Sequence, residues 1–166
     1  IGDIICRTLF TFEPSIEGKQ IEVRGLDSDR MVAQADPDLL HQVVYNLVEN
    51  AVKFTPEQGY IEFFYHIDGQ MIYTTVRNSG AGLPEEEIPH LFDRFYKSDK
   101  SRGLDKSGVG LGLYIVKTIL TILEGEIFVA NAPGEYIQFT FSLPLASPQK
   151  QPGLFRKSSE KSKQHS

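Results

Sequence analysis

The stretch Asp36-Pro37-Asp38-Leu39-Leu40-His41-Gln42-Val43-Val44-Tyr45-Asn46-Leu47-Val48-Glu49-Asn50-Ala51-Val52-Lys53-Phe54-Thr55 is a helix with its punctuation written out. Asp36 is a capping residue, Pro37 falls where the missing N–H costs nothing, and Pro56 closes the run. Leu40, Val43, Val44, Leu47, Ala51 and Phe54 recur at steps of three and four, so the spacing predicts an amphipathic helix from Pro37 to about Phe54. Asn46, Asn50 and Lys53 fall within a sector of roughly 60° beside that apolar stripe rather than opposite it. Asparagine is a mediocre helix former, so two of them one turn apart need a reason. One reason is an ordinary solvated helix border. The other is a pair of amide oxygens and an ammonium facing a hydrated Mg²⁺ and its phosphates, since Mg²⁺ takes oxygen ligands and lets phosphate complete its shell.

Working outward, Asp3 to Phe12 fits a short helix stopped before Pro14, and Gln20–Arg24 and Met31–Gln34 fit short strands. Beyond the long helix, Tyr60–Ile67 and Met71–Arg77 flank Asp68-Gly69-Gln70, a hairpin signal. Asn78 to Gly108 is loop-like apart from a short helix around Glu85 to Phe92. Val109 to Leu123 is predicted as a second long helix ended by Gly125, and Glu126–Ala130 with Tyr136–Leu143 as an antiparallel pair. This order predicts an α+β fold: a two-layer α/β sandwich with a mixed, mostly antiparallel sheet and helices on one face.

The 166 residues suit one domain with a proper core. No apolar run approaches the ~20 residues of a membrane helix. The single Cys6 excludes an internal disulfide and a cysteine-based zinc site, and fits a reducing, cytoplasmic setting. Seventeen Lys and Arg against twenty-two Asp and Glu give a net charge of -5, which argues against nucleic acid as a partner. That charge is unevenly spread. Residues 147–166 hold five basic groups and one acidic group in a Ser-, Gln-, Lys- and Pro-rich stretch, the composition of a disordered tail or an appended end. Residues 1–146, the expected folded domain, carry a net of -9.

Three further segments bear on chemistry. Asn78-Ser79-Gly80-Ala81-Gly82-Leu83-Pro84 follows a predicted strand, and its glycines permit either a plain turn or close backbone approach to a ligand. Ser107-Gly108-Val109-Gly110-Leu111-Gly112-Leu113 runs into a helix start, where backbone N–H groups and the dipole favour an anion. It matches neither a Walker A loop nor a dinucleotide fingerprint. Between them, Arg94 to Lys106 has five basic residues against Asp99 and Asp105, a positive island in an acidic domain. Such an island is either a solvated loop or a lid closing on polyphosphate, its start anchored in the core by Phe92 and Phe95.

In this order the segments resemble the nucleotide-binding catalytic domain of sensor histidine kinases, which has the Bergerat fold shared with gyrase B-type and MutL-type ATPases. Asp36–Thr55 resembles the N box, Asn78–Pro84 the first glycine box, Leu91–Tyr96 the phenylalanine box, and Ser107–Leu113 the second glycine box. Tyr114-Ile115-Val116-Lys117 and the closing Phe139-Thr140-Phe141-Ser142-Leu143-Pro144 also fit, so the resemblance covers about Asp3 to Pro144.

The resemblance implies Mg-ATP as ligand. Asn50, supported by Asn46, would hold the metal, Lys53 would contact phosphate, and these three form the implied catalytic set. Phe54 would pack near base and sugar. Implied nucleotide contacts extend to Asn78, Gly80, Gly82 and Leu83, to Phe95, and to the lid cations Lys97, Lys100 and Arg102, with Lys106 beside them. They continue through Ser107, Gly108, Val109, Gly110, Leu111, Gly112 and Leu113. At Asn46 the family's ATPase branch has an acidic, water-activating residue, so the amide here favours phosphoryl transfer over hydrolysis.

Two departures qualify the resemblance. The first glycine box normally opens with Asp, whose carboxylate accepts from the adenine amine, whereas this chain has the neutral acceptor Asn78. His41, His66, His90 and His165 sit in no phosphoacceptor context. The implied partners are therefore a histidine-bearing dimerisation domain of the same protein, absent from this sequence, and a response-regulator receiver domain. No direct membrane contact is expected of this domain, and a membrane-anchored parent chain is compatible with it. The alternatives are an anti-sigma-factor-type protein-serine kinase, which shares the four boxes, or a degenerate nucleotide-sensing module.

Overall fold

Asp36 acts as the spacing requires: its carboxylate accepts from the backbone N–H groups of Asp38 (2.9 Å) and Leu39 (3.1 Å). The helix it starts is the third in the computed structural model, which describes residues 1–27, 31–97 and 110–146. In chain order the elements are α1 (Gly2–Thr11), α2 (Glu13–Gly18), β1 (Glu22–Arg24), α3 (Pro37–Phe54), β2 (Tyr60–Asp68), β3 (Met71–Ser79) and a 3-10 helix (Glu85–His90). They continue with α4 (Gly112–Ile122), β4 (Ile127–Ala132) and β5 (Tyr136–Pro144).

The five strands form one sheet in the order β1-β2-β3-β5-β4, with β1 parallel to β2 and every other pair antiparallel. The expected mixed, mostly antiparallel α/β sandwich is what the chain adopts. Strand alternation sends Ile61, Phe63, Ile72, Val76, Ile137, Phe139, Phe141 and Leu143 to the face beneath the helices, where all are buried. Leu40, Val43, Val44, Leu47, Val48, Ala51 and Val52 of α3 meet them, and α1 and α4 pack on either side.

The opposite face is polar and aromatic. Arg77 lies over the rings of Phe64 (4.7 Å) and Tyr136 (4.1 Å) and donates to Gln138 (2.9 Å). Arg24 lies over Tyr60 (4.3 Å), and its hydrogen bond to Glu22 (2.7 Å) holds the Glu22 carboxyl below its ordinary value. Asp68 and Met71 pair across a two-residue turn in which Gly69 takes φ +60°, so the expected hairpin forms where the Asp-Gly step put it.

Several expectations are corrected. The first helix does stop before Pro14, with Phe12 as its C-cap, but Pro14 also sits in the first turn of an unexpected second helix, α2, where a missing N–H is harmless. Met31–Gln34 forms no named strand, only a bridge from Ala33 to Leu145 with a bond from Gln34 N–H to the Pro144 carbonyl (2.8 Å). The second long helix starts at Gly112, because Gly110 takes φ +73° and cannot belong to it; Val109 lies outside the described residues. Gly125 does not provide the left-handed stop, which Glu124 takes at φ +61°. Gly125 is needed for another reason: a Cβ there would lie 2.0 Å from the Ser142 carbonyl oxygen. Residues 98–106 of the expected lid, residues 107–109 of the second glycine segment and the expected tail at 147–166 lie outside the described residues.

Candidate functional site

α3 organises the site because its polar edge looks past the sheet to the loops. Asn46, Asn50, Lys53 and Phe54 all lie half-buried along it. Asn46 donates its amide to the Gln42 carbonyl (2.9 Å), which turns its Oδ1 towards the start of α4: a Cβ on Gly112 would sit 3.4 Å from that oxygen. Gly112 thus lets the N-terminus of α4 lie beside the asparagine. Among the described residues no side chain caps α4, so its first-turn N–H groups carry the helix's positive end next to an amide oxygen.

The other end of α3 meets the first glycine segment. A Cβ on Gly80 would come within 3.3 Å of the Phe54 carbonyl oxygen, and Gly80 takes φ +147°. Lys53 Nζ stands 6.0 Å from the Phe54 ring centroid. One residue that no motif singles out holds this turn in place. Lys19 Nζ donates to the carbonyls of Val52 (2.9 Å), Lys53 (3.0 Å) and Thr55 (3.1 Å), placing a cation at the negative end of the helix. Those partners are separated from Lys19 by 33 to 36 residues, so no local pattern points to them.

Asn78 is 4% exposed at the end of β3. It donates its amide N–H to the Ser79 carbonyl (3.1 Å), and no described donor is placed on its Oδ1. The amide N–H thus has a partner within the protein, and the oxygen is left as an acceptor. Beyond it, the β4–β5 hairpin grips the glycine segment. Gly80 N–H donates to the Glu135 carbonyl (3.1 Å), Gly134 N–H to the Ala81 carbonyl (2.8 Å), and Asn131 exchanges two hydrogen bonds with the Leu83 backbone. A Cβ on Gly82, at φ +69°, would fall 2.2 Å from the Asn131 amide oxygen.

The phenylalanine segment closes the third side. Leu91 is buried, and Phe92 meets Phe139 edge-on at 6.4 Å between centroids. Phe95 departs from its expected anchoring role: it takes φ +64° and is 60% exposed. Its backbone explains the turn, since Phe95 N–H donates to the Gly110 carbonyl (3.1 Å) and a Cβ on Gly110 would lie 2.7 Å from the Tyr96 carbonyl oxygen. The two chain segments on either side of residues 98–109 are thereby joined at a neck. Tyr96, bonded through its hydroxyl to Glu87 (3.0 Å), supplies the inward packing instead. Lys97 is half-buried just beyond. Lys100, Arg102, Lys106, Ser107, Gly108 and Val109 lie outside the described residues, whereas Gly110, Leu111, Gly112 and Leu113 stand at the head of α4 beside Asn46.

Residues 35–147 match the family described as histidine kinase-, DNA gyrase B-, and HSP90-like ATPases. The chain belongs to this family. Within the ATPase family, it is 32% identical over 140 residues to the sensor histidine kinase WalK of Bacillus subtilis, covering 83% of this chain and 23% of that protein. It is 38% identical over 110 residues to the sensor histidine kinase RcsC of Escherichia coli, covering 66% of this chain and 12% of that protein. Among solved structures, the catalytic domain of histidine kinase ThkA superposes with a TM-score of 0.75 at 27% identity, over 87% of this chain and 92% of that one. Full-length ShkA in complex with AMPPNP gives a TM-score of 0.74 at 27% identity, over 89% of this chain and 30% of that one. The chain therefore spans about a third or less of the length of the curated relatives it matches. No helix among the described residues is long and apolar enough to cross a membrane.

Proposed function

We propose that this chain is the ATP-binding catalytic domain of a sensor histidine kinase, binding Mg-ATP and presenting the γ-phosphate to a histidine on a separate dimerisation domain. The observation that carries the reading is the convergence on α3, with Asn46 against the head of α4 and the Phe54 carbonyl against Gly80. Two segments far apart in sequence, the first glycine segment and the head of α4, thus meet one polar helix edge. The donor set suits the ligand. The amide oxygens of Asn46 and Asn50 are hard neutral donors appropriate to Mg²⁺, which would neutralise phosphate charge. The uncapped α4 start and Lys53 are complementary to phosphate oxygens. Asn78 Oδ1 is an acceptor for a base amine, and the half-buried Phe54 offers an apolar surface to base and sugar.

Phosphoryl transfer depends mainly on positioning and charge neutralisation. In this reading the chain's residues hold the polyphosphate and exclude water, Asn46 being unable to act as a general base. The receiving nucleophile belongs to the partner domain, and a response-regulator receiver domain is the onward acceptor. Residues 1–146 are the working unit, with 147–166 a basic extension. The same assignment implies a cytoplasmic domain and is compatible with a membrane-anchored parent protein. Support comes from the names of the relatives and from ShkA having been solved with AMPPNP.

Calorimetric titration with Mg-ATP tests the binding half, and addition of a histidine-bearing dimerisation domain with labelled ATP tests transfer. Saturable binding that Asn50→Ala weakens at least tenfold, with the fold intact by circular dichroism, is expected. A folded chain that fails to bind millimolar ATP overturns the proposal. The neutral Asn78 favours one second reading, a domain that senses nucleotide without transferring phosphate. ATP binding without transfer to any supplied acceptor would select it.

A further inference from the structure

We propose that Asn131, in the β4–β5 hairpin, is a positioning residue for recognition of the nucleotide base; the proposal rests on the nucleotide-binding reading above. Its carboxamide meets the Leu83 peptide groups as a neighbouring strand would. Oδ1 accepts from Leu83 N–H at 3.0 Å, and Nδ2 donates to the Leu83 carbonyl at 2.6 Å. The orientation is unambiguous, because the flipped amide would set donor against donor and acceptor against acceptor.

The placement of Asn131 gives this clamp a functional direction. Asn131 pairs with Ile137 across β4 and β5, Ile137 pairs with Asn78 across β5 and β3, and Asn78 pairs with Ile61 across β3 and β2. Directly paired residues project to the same face of a sheet. Both asparagines therefore rise from one row on the helix-covered face, two strands and so about 10 Å apart. Asn78 carries the acceptor Oδ1, while Asn131 holds the loop that leaves the Asn78 strand. Leu83 itself packs against the core, so the clamp ties that loop between core and hairpin.

Gly82 lies directly under the clamp, where a Cβ would fall 2.2 Å from Asn131 Oδ1. The loop is thus pressed against the hairpin with no space for a side chain. The two backbone bonds from Gly80 and Gly134 hold the loop's near side, and the Asn131 carboxamide alone holds Leu83 from the hairpin among the described residues. Without it, the loop beside Asn78 loses its outer tether, and the Asn78 acceptor loses the fixed wall against which a base amine is read.

Asn131→Ala removes both bonds, and Asn131→Asp keeps the acceptor while setting an oxygen against the Leu83 carbonyl. Adenine presents an amine where guanine presents a carbonyl oxygen, so the ATP-to-GTP affinity ratio reports on the Asn78 acceptor. Ile72→Val serves as a control: it removes a buried methylene at the far end of the same sheet and lowers stability without touching the loop. Mg-ATP and Mg-GTP dissociation constants are measured by calorimetry for all four proteins, with melting temperatures without nucleotide. The expected result is a roughly tenfold weaker ATP constant and a smaller ATP-to-GTP ratio in Asn131→Ala, while Ile72→Val melts lower with both constants kept. Asn131→Asp is expected to move in the same direction, and it carries the test if Asn131→Ala does not fold. Unchanged constants in the Asn131 variants, or an equal loss in Ile72→Val, overturn the positioning role while leaving the nucleotide reading intact. Failure of the unsubstituted chain to bind ATP overturns that reading, and this proposal with it.

Discussion

Asn78 shows how a single atom exchange divides affinity from stability. The residue is nearly buried and its Oδ1 is a neutral acceptor, and charge-assisted bonds are roughly twice as strong as neutral ones. Asn78→Asp should therefore bind ATP several-fold more tightly in titration. The same carboxylate is nearly buried in the nucleotide-free protein and no longer donates to the Ser79 carbonyl, so melting without ligand should fall. A gain in affinity without that loss would mean that the site is wetter than its burial implies. Gly82 gives a second residue-scale prediction. With φ at +69° and the Asn131 oxygen 2.2 Å from where a Cβ would stand, Gly82→Ala should cost about 1–3 kcal/mol in urea denaturation.

At the scale of elements, the legibility of the chain followed from how local each cause is. α3 could be read in full because its cap, its Pro37 start, its periodicity and its Pro56 stop are all neighbours in sequence. Both hairpins were readable for the same reason. α2 was missed because Pro14 reads as following the end of one helix, whereas a proline is equally suited to the first turn of the next. Met31–Gln34 has a strand's composition, but its pairing is limited to the bridge between Ala33 and Leu145. In the site, the asparagines and glycines were legible as types at spacings, whereas their holders, Lys19 and Asn131, act across long separations. Asn131 falls just past the predicted strand Glu126–Ala130, and because Asn is depleted in strands nothing in the sequence marks it as part of β4. The holder of α3 is testable on its own. Lys19→Met keeps the stem but removes three bonds to the helix end, and should lower stability by about 1–3 kcal/mol while leaving the helical signal largely unchanged.

For the whole molecule, ligand and fold are linked by mass action. Mg-ATP at a hundred times its dissociation constant should add about 2.7 kcal/mol of stability, which for a domain of this size raises the melting temperature by roughly 5–10 °C. Scanning calorimetry would register the shift, and chelating the Mg²⁺ should remove most of it. The share of its relatives' length that the chain spans adds a second expectation at this scale. Transfer supplied in trans should depend on the concentration of the acceptor domain, because the tether that would raise its effective concentration is not part of this sequence.

The single helix under both halves of the site has a mechanical consequence. Asn46 and Phe54 are eight residues apart, about 12 Å of rigid rod with one contact at each station. Such a rod acts as a lever: a tilt about its middle lifts one station while lowering the other. A force that tilts α3, from a docked domain or from a repacked core residue beneath it, therefore reaches the base loop and the phosphate end together and in opposite senses. Grip on the two ends of a bound molecule would then be exchanged as a single degree of freedom.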